Sequence, residues 1–495
     1  MSRPQTSGLT RSLGLLGLAA TGICSMLGAA INVVPFMIQR NVPGIGPYVL
    51  PAFLFAAVPA IFAALAYAIL ASAMPRAGGS YVYASRALNP YLGFVASFSQ
   101  WFGLSIAIGV VSYVLVPFLR DIAAALAWDP LAAALDSGPV RVGLSLAFLW
   151  TFVAINLRGV KLYERTLVPL MFLMFALGAV VIVAGFYFDQ ADFAAALLQR
   201  EGKILPAAAE APFDFRIFLA AAALLFSSFI GFDSIAQAGG EAKNPGRSLP
   251  LAIAIAVITV GGFNMLFTAA VYHTVPWTYI AKEALTRDLT APGLLGYLLP
   301  SGWTVAIVAG AAVALINDLP AMLLAVSRLM FAWAEDGIFP RRVAQVHPRR
   351  HTPHVAILLS GIMASLGILG SHLAGDFFLG VDILVTSMLV NFLLMCLSVL
   401  ALPKRNPELA KAVTVFAGRR IQAPLALLGA IMLGGFLVVH IVKDLTAEVS
   451  AWYFHSTVMW VAVMAAATLI YLREVRNLRR SGVDLKTLFS TLPPE

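Results

Sequence analysis

Apolar stretches long enough to be helices crossing a hydrocarbon layer of ~30 Å follow one another along nearly the whole chain, separated by short polar connections. Twelve such spans are predicted, near 13–39, 47–73, 91–120, 140–157, 165–188, 216–239, 249–272, 303–328, 354–371, 380–401, 423–443 and 455–472. Two of them are interrupted midway by small and polar residues. The first span contains Gly22-Ile-Cys-Ser-Met-Leu-Gly28-Ala29-Ala30-Ile31-Asn32, and the sixth contains Phe226-Ser-Ser-Phe-Ile-Gly231-Phe232-Asp233-Ser234. Hydrocarbon cannot satisfy the peptide groups that a break frees, so a break persists only inside protein or along a cavity. Breaks at matching places in two halves of a chain mark the binding site of a transporter.

Spans 1–5 and 6–10 form two sets of five. Five is odd, so the second set enters from the opposite side and the halves have inverted topology. No residue-level repeat accompanies this. The expected organisation is a short polar tail (1–12), a ten-helix core (13–402, with repeats 13–188 and 216–402), a linker (403–422), two further helices (423–472) and a basic tail (473–495). The fold class is all-α and polytopic. The long connection 273–302 holds Trp277, Tyr279 and Tyr297, which suits helices lying at the membrane interface.

Composition agrees: 60% of the 495 residues are hydrophobic and 12% charged. The net charge of +9 reports orientation, not a nucleic-acid partner. With the N-terminus in the cytoplasm, 24 of the 33 Lys and Arg fall on that side and 9 outside, as the positive-inside rule requires. Both termini are then cytoplasmic and the expected location is the inner (cytoplasmic) membrane. Cys24 and Cys396 both lie within spans, and the sequence has no metal or nucleophile motif, so neither an enzyme nor a cofactor is expected.

The segment after Gly28 can start a new helix whose first N–H groups, at Gly28, Ala29 and Ala30, have no intrahelical partners and favour an anion. Close helix packing is the other use of such small residues. In span 6, Ser227, Ser228, Gly231, Asp233 and Ser234 cluster, and carbonyls freed near Phe229 and Ile230 suit a cation. Three roles are open to Asp233: brace of the break, ligand of an amine, or proton carrier. Phe232 is a candidate gate. Asp318 lies about 22 Å into span 8 at 1.5 Å per residue, two positions before Pro320. It is a candidate coupling site for a proton or cation, or a neutral acid bonded to Asn317 or to a neighbouring helix.

At these residues the chain resembles the amino acid–polyamine–organocation superfamily of permeases. The resemblance rests on Met26-Leu-Gly-Ala-Ala-Ile-Asn-Val33, Pro75-Arg-Ala-Gly-Gly-Ser-Tyr-Val-Tyr83, Phe229-Ile-Gly-Phe-Asp-Ser234 with Glu241-Ala-Lys-Asn-Pro-Gly-Arg-Ser-Leu-Pro250, and Ser327-Arg-Leu-Met-Phe-Ala-Trp-Ala-Glu-Asp-Gly-Ile-Phe-Pro340, in order across nearly the whole length. It implies the leucine-transporter-like fold, a five-plus-five inverted repeat with two added helices, and secondary transport by alternating access. It also implies that the first break binds a substrate carboxylate (Gly28, Ala29, Ala30) and the second its α-amine (Phe229, Ile230, Asp233). Ser25, Asn32, Phe232 and Ser234 complete the candidate substrate site. Arg76, Arg86, Glu241 and Lys243, with Arg247, are candidates for an inner-gate ion-pair network or are solvated loop charges.

The chain departs from the family pattern at Ala29 or Ala30, where a second glycine is usual, and at Asn32, where an aromatic is common. It has no lysine in 167–188 and no hydroxyl in Leu319–Ala325, which disfavours sodium coupling. The expected function is proton-coupled symport or exchange of an amino acid or related small zwitterion. A carrier of polyamines or other cationic amines and a non-transporting amino-acid sensor are the alternatives. The expected partners are the substrate, the lipid bilayer and protons.

Overall fold

A computed structural model describes residues 9–206, 211–374, 378–416, 418–449 and 451–493, without the side chains of Ala29, Ala30, Ser301 and Ala374. Its helices are α1 (Leu15–Met26), α2 (Ala29–Asn41), α3 (Val49–Ala73), α4 (Gly79–Ala87), α5 (Pro90–Ala125), α6 (Asp129–Asp136), α7 (Gly138–Arg158), α8 (Val160–Tyr187), α9 (Gln190–Glu201), α10 (Phe215–Leu225), α11 (Asp233–Gln237), α12 (Pro245–Thr274), α13 (Trp277–Ala284), α14 (Ala291–Leu295), α15 (Ser301–Glu335), α16 (His354–Ala374), α17 (Phe378–Arg405), α18 (Pro407–Lys411), α19 (Arg419–Thr446), α20 (Ser456–Arg480) and α21 (Leu485–Ser490). Extended pairing among the described residues is limited to two isolated bridges, Leu13 with Ala242 and Ala77 with Ala238.

Among the described residues, eleven helical stretches, counting α1 with α2 as one, are long and apolar enough to cross a membrane, and the helical stretch Phe215–Phe229 is a shorter apolar one. The shortfall from the twelve predicted spans is therefore the sixth, whose break leaves no piece of full length. The ends of helices follow local chemistry. Asn89 accepts the Leu92 N–H (2.9 Å) at the start of α5, where Pro90 needs no partner. Asp214 likewise caps α10 by accepting the Arg216 N–H at 2.7 Å. The short helices α9 and α13 pack together, with Tyr279 edge-on against Phe193 at 5.0 Å.

Burial sorts the long helices into two shells. The apolar windows of α1–α2, α5, α15 and α17 are mostly buried, whereas those of α7, α8, α12, α19 and α20 mostly face outward. Their outward residues, such as Phe172, Val183, Ile258, Ile431 and Leu469, are large, apolar and exposed. That is the arrangement of a bundle whose surroundings are lipid. The inner helices, together with the broken α10–α11 segment, enclose the site.

Candidate functional site

Both predicted interruptions are present. Helix α1 stops at Met26, Leu27 closes it by donating to Ile23 O, and Gly28 takes ψ −131° before α2 begins. The second segment passes from α10 through a 3₁₀ turn (Phe226–Phe229) to extended Ile230 (ψ 137°) and Gly231 (φ +136°), and α11 starts two residues later. Only glycine adopts that φ without strain. The breaks touch. A Cβ on Gly231 would overlap the Ser25 carbonyl, and Ser25 Oγ bonds Ser234 Oγ at 3.0 Å.

Beside this crossing lies a cavity of about 60 Å³, room for roughly two waters at ~30 Å³ each. Its floor is Ser25, Met26 and Gly28 of the first break and Ser227 and Ile230 of the second. Val33, Val34, Val110, Val111, Val114, Met322 and Leu384 make an aliphatic wall. Asp318, on α15, is the ionisable residue in the lining among the described residues. It is 2% exposed, and its Oδ1 has no hydrogen-bond partner among the described residues. Its other oxygen rests against Gly28, where a Cβ would overlap it. The neighbouring Asn317 does not bond it. Asn317 donates to Cys24 Sγ (2.9 Å) and to Leu167 O (3.3 Å).

Asp233 is placed differently. Its Oδ1 accepts the Gly231 N–H at 3.1 Å, and its Oδ2 accepts from Gln100 Nε2. Both oxygens hold the break in shape. Gln100 is the hub behind it. Gln100 Oε1 accepts from Ser80 Oγ (2.5 Å), Gln237 Nε2 (3.1 Å) and Asn391 Nδ2 (3.3 Å). Phe232 stacks on Phe392 (5.0 Å, 25°) and meets Tyr67 edge-on, away from the cavity lining. Phe229 packs on Phe53 at 5.0 Å. Asn32 lines a separate, smaller cavity with Met174, Gly178 and Phe263. Ala29 and Ala30 open α2, and their side chains lie outside the described residues.

The candidate inner-gate residues are not brought together as one network. Glu241 is held by Arg328, which donates through Nε (3.0 Å) and Nη2 (2.5 Å), with both side chains 1% exposed. Arg86 binds Asp336 through both terminal nitrogens (2.5 and 3.1 Å), and Tyr81 OH adds a bond of 2.8 Å to the same carboxylate. Lys243 and Arg247 are exposed. The Lys243 backbone N–H bonds Leu13 O at 2.8 Å, pairing the chain's first described residues with the segment after α11. Arg76 and Arg86 reach the other end of the chain, donating to Pro493 O and Thr491 O, each at 3.1 Å, and Phe489 lies under the Arg86 guanidinium at 5.0 Å. Both described chain ends thus cover one face of the bundle, called here the terminal face.

Sequence reasoning passed over Gln100, Asn391, Arg328 and Asp336. Each left a signal. Gln100 and Asn391 are polar amides inside apolar spans, and Arg328 is an ionisable residue at the end of one.

Residues 13–464 match the amino acid permease family. Among relatives, the branched-chain amino acid permease BcaP of Bacillus subtilis is 27% identical over 82% of this chain and 83% of its own length. The low-affinity putrescine importer PlaP of Escherichia coli is 26% identical over 78% of each. The cationic amino acid transporter 4 of Mus musculus is 29% identical over 72% of this chain, which spans 55% of that longer protein. The broken helix pair, the cavity beside it and a family match over nearly the full length lead to one conclusion: the chain belongs to the amino acid permease family and is a multi-pass secondary transporter, not an enzyme.

Proposed function

We propose that this transporter moves an amino acid or related small zwitterion across the cytoplasmic membrane by alternating access, coupled to protons or by exchange. The reading is supported by one arrangement above all: two interrupted helices cross beside a cavity lined by Asp318, a buried acid whose Oδ1 has no hydrogen-bond partner among the described residues. The ten-helix core is assigned to 13–402, with repeats 13–188 and 216–402, and α19 and α20 flank it. The charge bias puts the terminal face in the cytoplasm, with both tails. On that assignment the structure is closed to the cytoplasm by the Glu241–Arg328 and Arg86–Asp336 pairs.

Asp318 is the coupling residue in this reading. It faces the cavity and has a free oxygen, whereas Asp233 spends both oxygens as a brace. Ser25, Gly28, Ser227 and Ile230 contact the substrate, and the backbone of Ala29 and Ala30 contributes the start of α2. Phe232 and Asn32 are assigned to packing. The test is uptake by the purified chain in proteoliposomes, driven by a preloaded solute or a pH gradient. Accumulation of a labelled amino acid or amine is expected, and its absence for both classes refutes the proposal.

A second reading, a carrier of cationic amines, is favoured by the position of Asp318. The opening of α2 is where a ligand carboxylate belongs, and a carboxylate of the protein already sits there. Two carboxylates about 4 Å apart repel by about 4 kcal/mol at an effective dielectric of about 20.

A further inference from the structure

We infer that Asp318 takes the place of the ligand's carboxylate in this chain, so that the central site selects small aliphatic primary amines that carry no carboxylate. The inference rests on the transport reading above and replaces its zwitterionic substrate with one form of the second reading, an amine carrier.

Three features of the site combine. The first is contact. Asp318 Oδ2 lies against Gly28 so closely that a Cβ there would overlap it. It occupies the approach to the first turn of α2, a helix of 13 residues, with the sign of charge that a helix start favours. The second is an unmet demand. Asp318 is 2% exposed and lines the cavity, yet its Oδ1 has no partner among the described residues. A buried carboxylate oxygen without a donor is costly, and an ammonium supplies three donors and the opposite charge. The α1 helix ends at the same place, and its C-terminal carbonyls carry the negative end of a helix dipole. The third is what the wall lacks. No Lys, Arg or His is among the residues lining the cavity, so nothing there offsets a ligand carboxylate. Val33, Val110, Val111, Val114 and Val381 suit a short branched or straight alkyl chain, and no aromatic ring faces it.

Asp233 does not compete for this role, because Gly231 N–H and Gln100 Nε2 occupy its oxygens. Gly28 gains a second reason to be glycine. Besides ending α1, it leaves room for the carboxylate that replaces the ligand's own. The same glycine that in a carboxylate-binding site admits the ligand here admits Asp318.

The experiment compares matched pairs differing only by the carboxyl group: isobutylamine against valine and isoamylamine against leucine, with putrescine as a diamine. The readout is the concentration giving half-maximal thermal stabilisation of the full chain in nanodiscs. The expected result is that each monoamine acts at a concentration at least 10-fold lower than its amino acid. Asp318→Asn should then weaken the amine at least 10-fold and narrow or reverse the preference. An amino acid acting at an equal or lower concentration than its amine overturns the inference on the unmodified protein, whether or not Asp318→Asn folds. So does an Asp318→Asn variant that keeps the amine preference. The proteoliposome uptake assay separates the two failures. If an amino acid is transported while its amine neither binds nor enters, the inference falls and the transport reading stands. If no member of either class is transported, both fall.

Discussion

Removing one partner of the Glu241–Arg328 pair tests whether it locks the terminal face. The pair is bidentate, with both side chains 1% exposed, and Arg328 Nη1 has one further acceptor, Ser327 Oγ at 2.9 Å. Breaking such a pair from one side costs about 3–5 kcal/mol, because a buried charge is left unpaired. If the pair exists only while the face is closed, that cost falls on the closed state alone. At about 1.4 kcal/mol per tenfold, Glu241→Leu or Arg328→Met should raise the open-to-closed ratio by roughly two to nearly four powers of ten. Replacing both with apolar side chains leaves no orphaned charge and is often close to neutral, so the double variant should recover most of the closure. The readout is maleimide labelling of a Met322→Cys reporter in the cavity wall, with reagent added from the terminal side. The two native cysteines are buried, which keeps the background low. Faster labelling in each single variant and near-normal labelling in the double variant is the expected pattern. Single variants that melt at lower temperature yet label at the unmodified rate would refute the reasoning, since the pair would then persist in both states.

Gly231→Ala forces a side chain to φ +136° and into the Ser25 carbonyl; a fall in melting temperature with loss of uptake is expected, and a stable, active variant contradicts the backbone crossing. Asp233→Ala strands the Gly231 N–H and the Gln100 amide, at about 1–3 kcal/mol each, so it should lower thermal stability whether or not ligand is present; an unchanged melting curve removes its role as brace. Gly28→Ala should displace the Asp318 carboxylate and cut uptake at least tenfold while expression stays near normal, and wild-type transport by this variant would show that the contact is dispensable. Lys203 and Tyr297 beside Glu201 hold its carboxyl below the usual range. A depressed value means the contact is intact at neutral pH and is lost as pH falls through that value, so amide protection in α9, taken relative to the intrinsic exchange rate at each pH, should stay constant down to about pH 4; loss of protection already at about pH 6 would mean that Glu201 is not held this way.

What the sequence disclosed, and what it withheld, follows from the range of the interactions. The two breaks were legible because Gly28, Gly231 and Asp233 are local exceptions within apolar runs. Asp318 was legible as a buried acid. Its seat against Gly28 was not, because that depends on where α15 passes in space. Glu241 shows the same limit. Its neighbours in sequence, Lys243 and Arg247, are exposed, and its counter-ion, Arg328, arrives from another helix. Phe232 turns to Phe392 and Tyr67 because α11 begins one residue later, which fixes its direction away from the cavity. Arg86 illustrates a mixed case: the loop charge was visible, but its partners, Asp336 and the residues around Phe489, come from distant parts of the chain.

At the crossing of the two broken segments, Gly231 lies on the Ser25 carbonyl with no side chain between them. Side chains can swing aside and absorb motion, whereas two peptide planes in contact have little slack. The contact should therefore act as a pinned joint, so that tilting one arm drags the other and, with it, the wall of the cavity. A solute held at Asp318, against Gly28 of the same first break, would then feel the tilt of either arm.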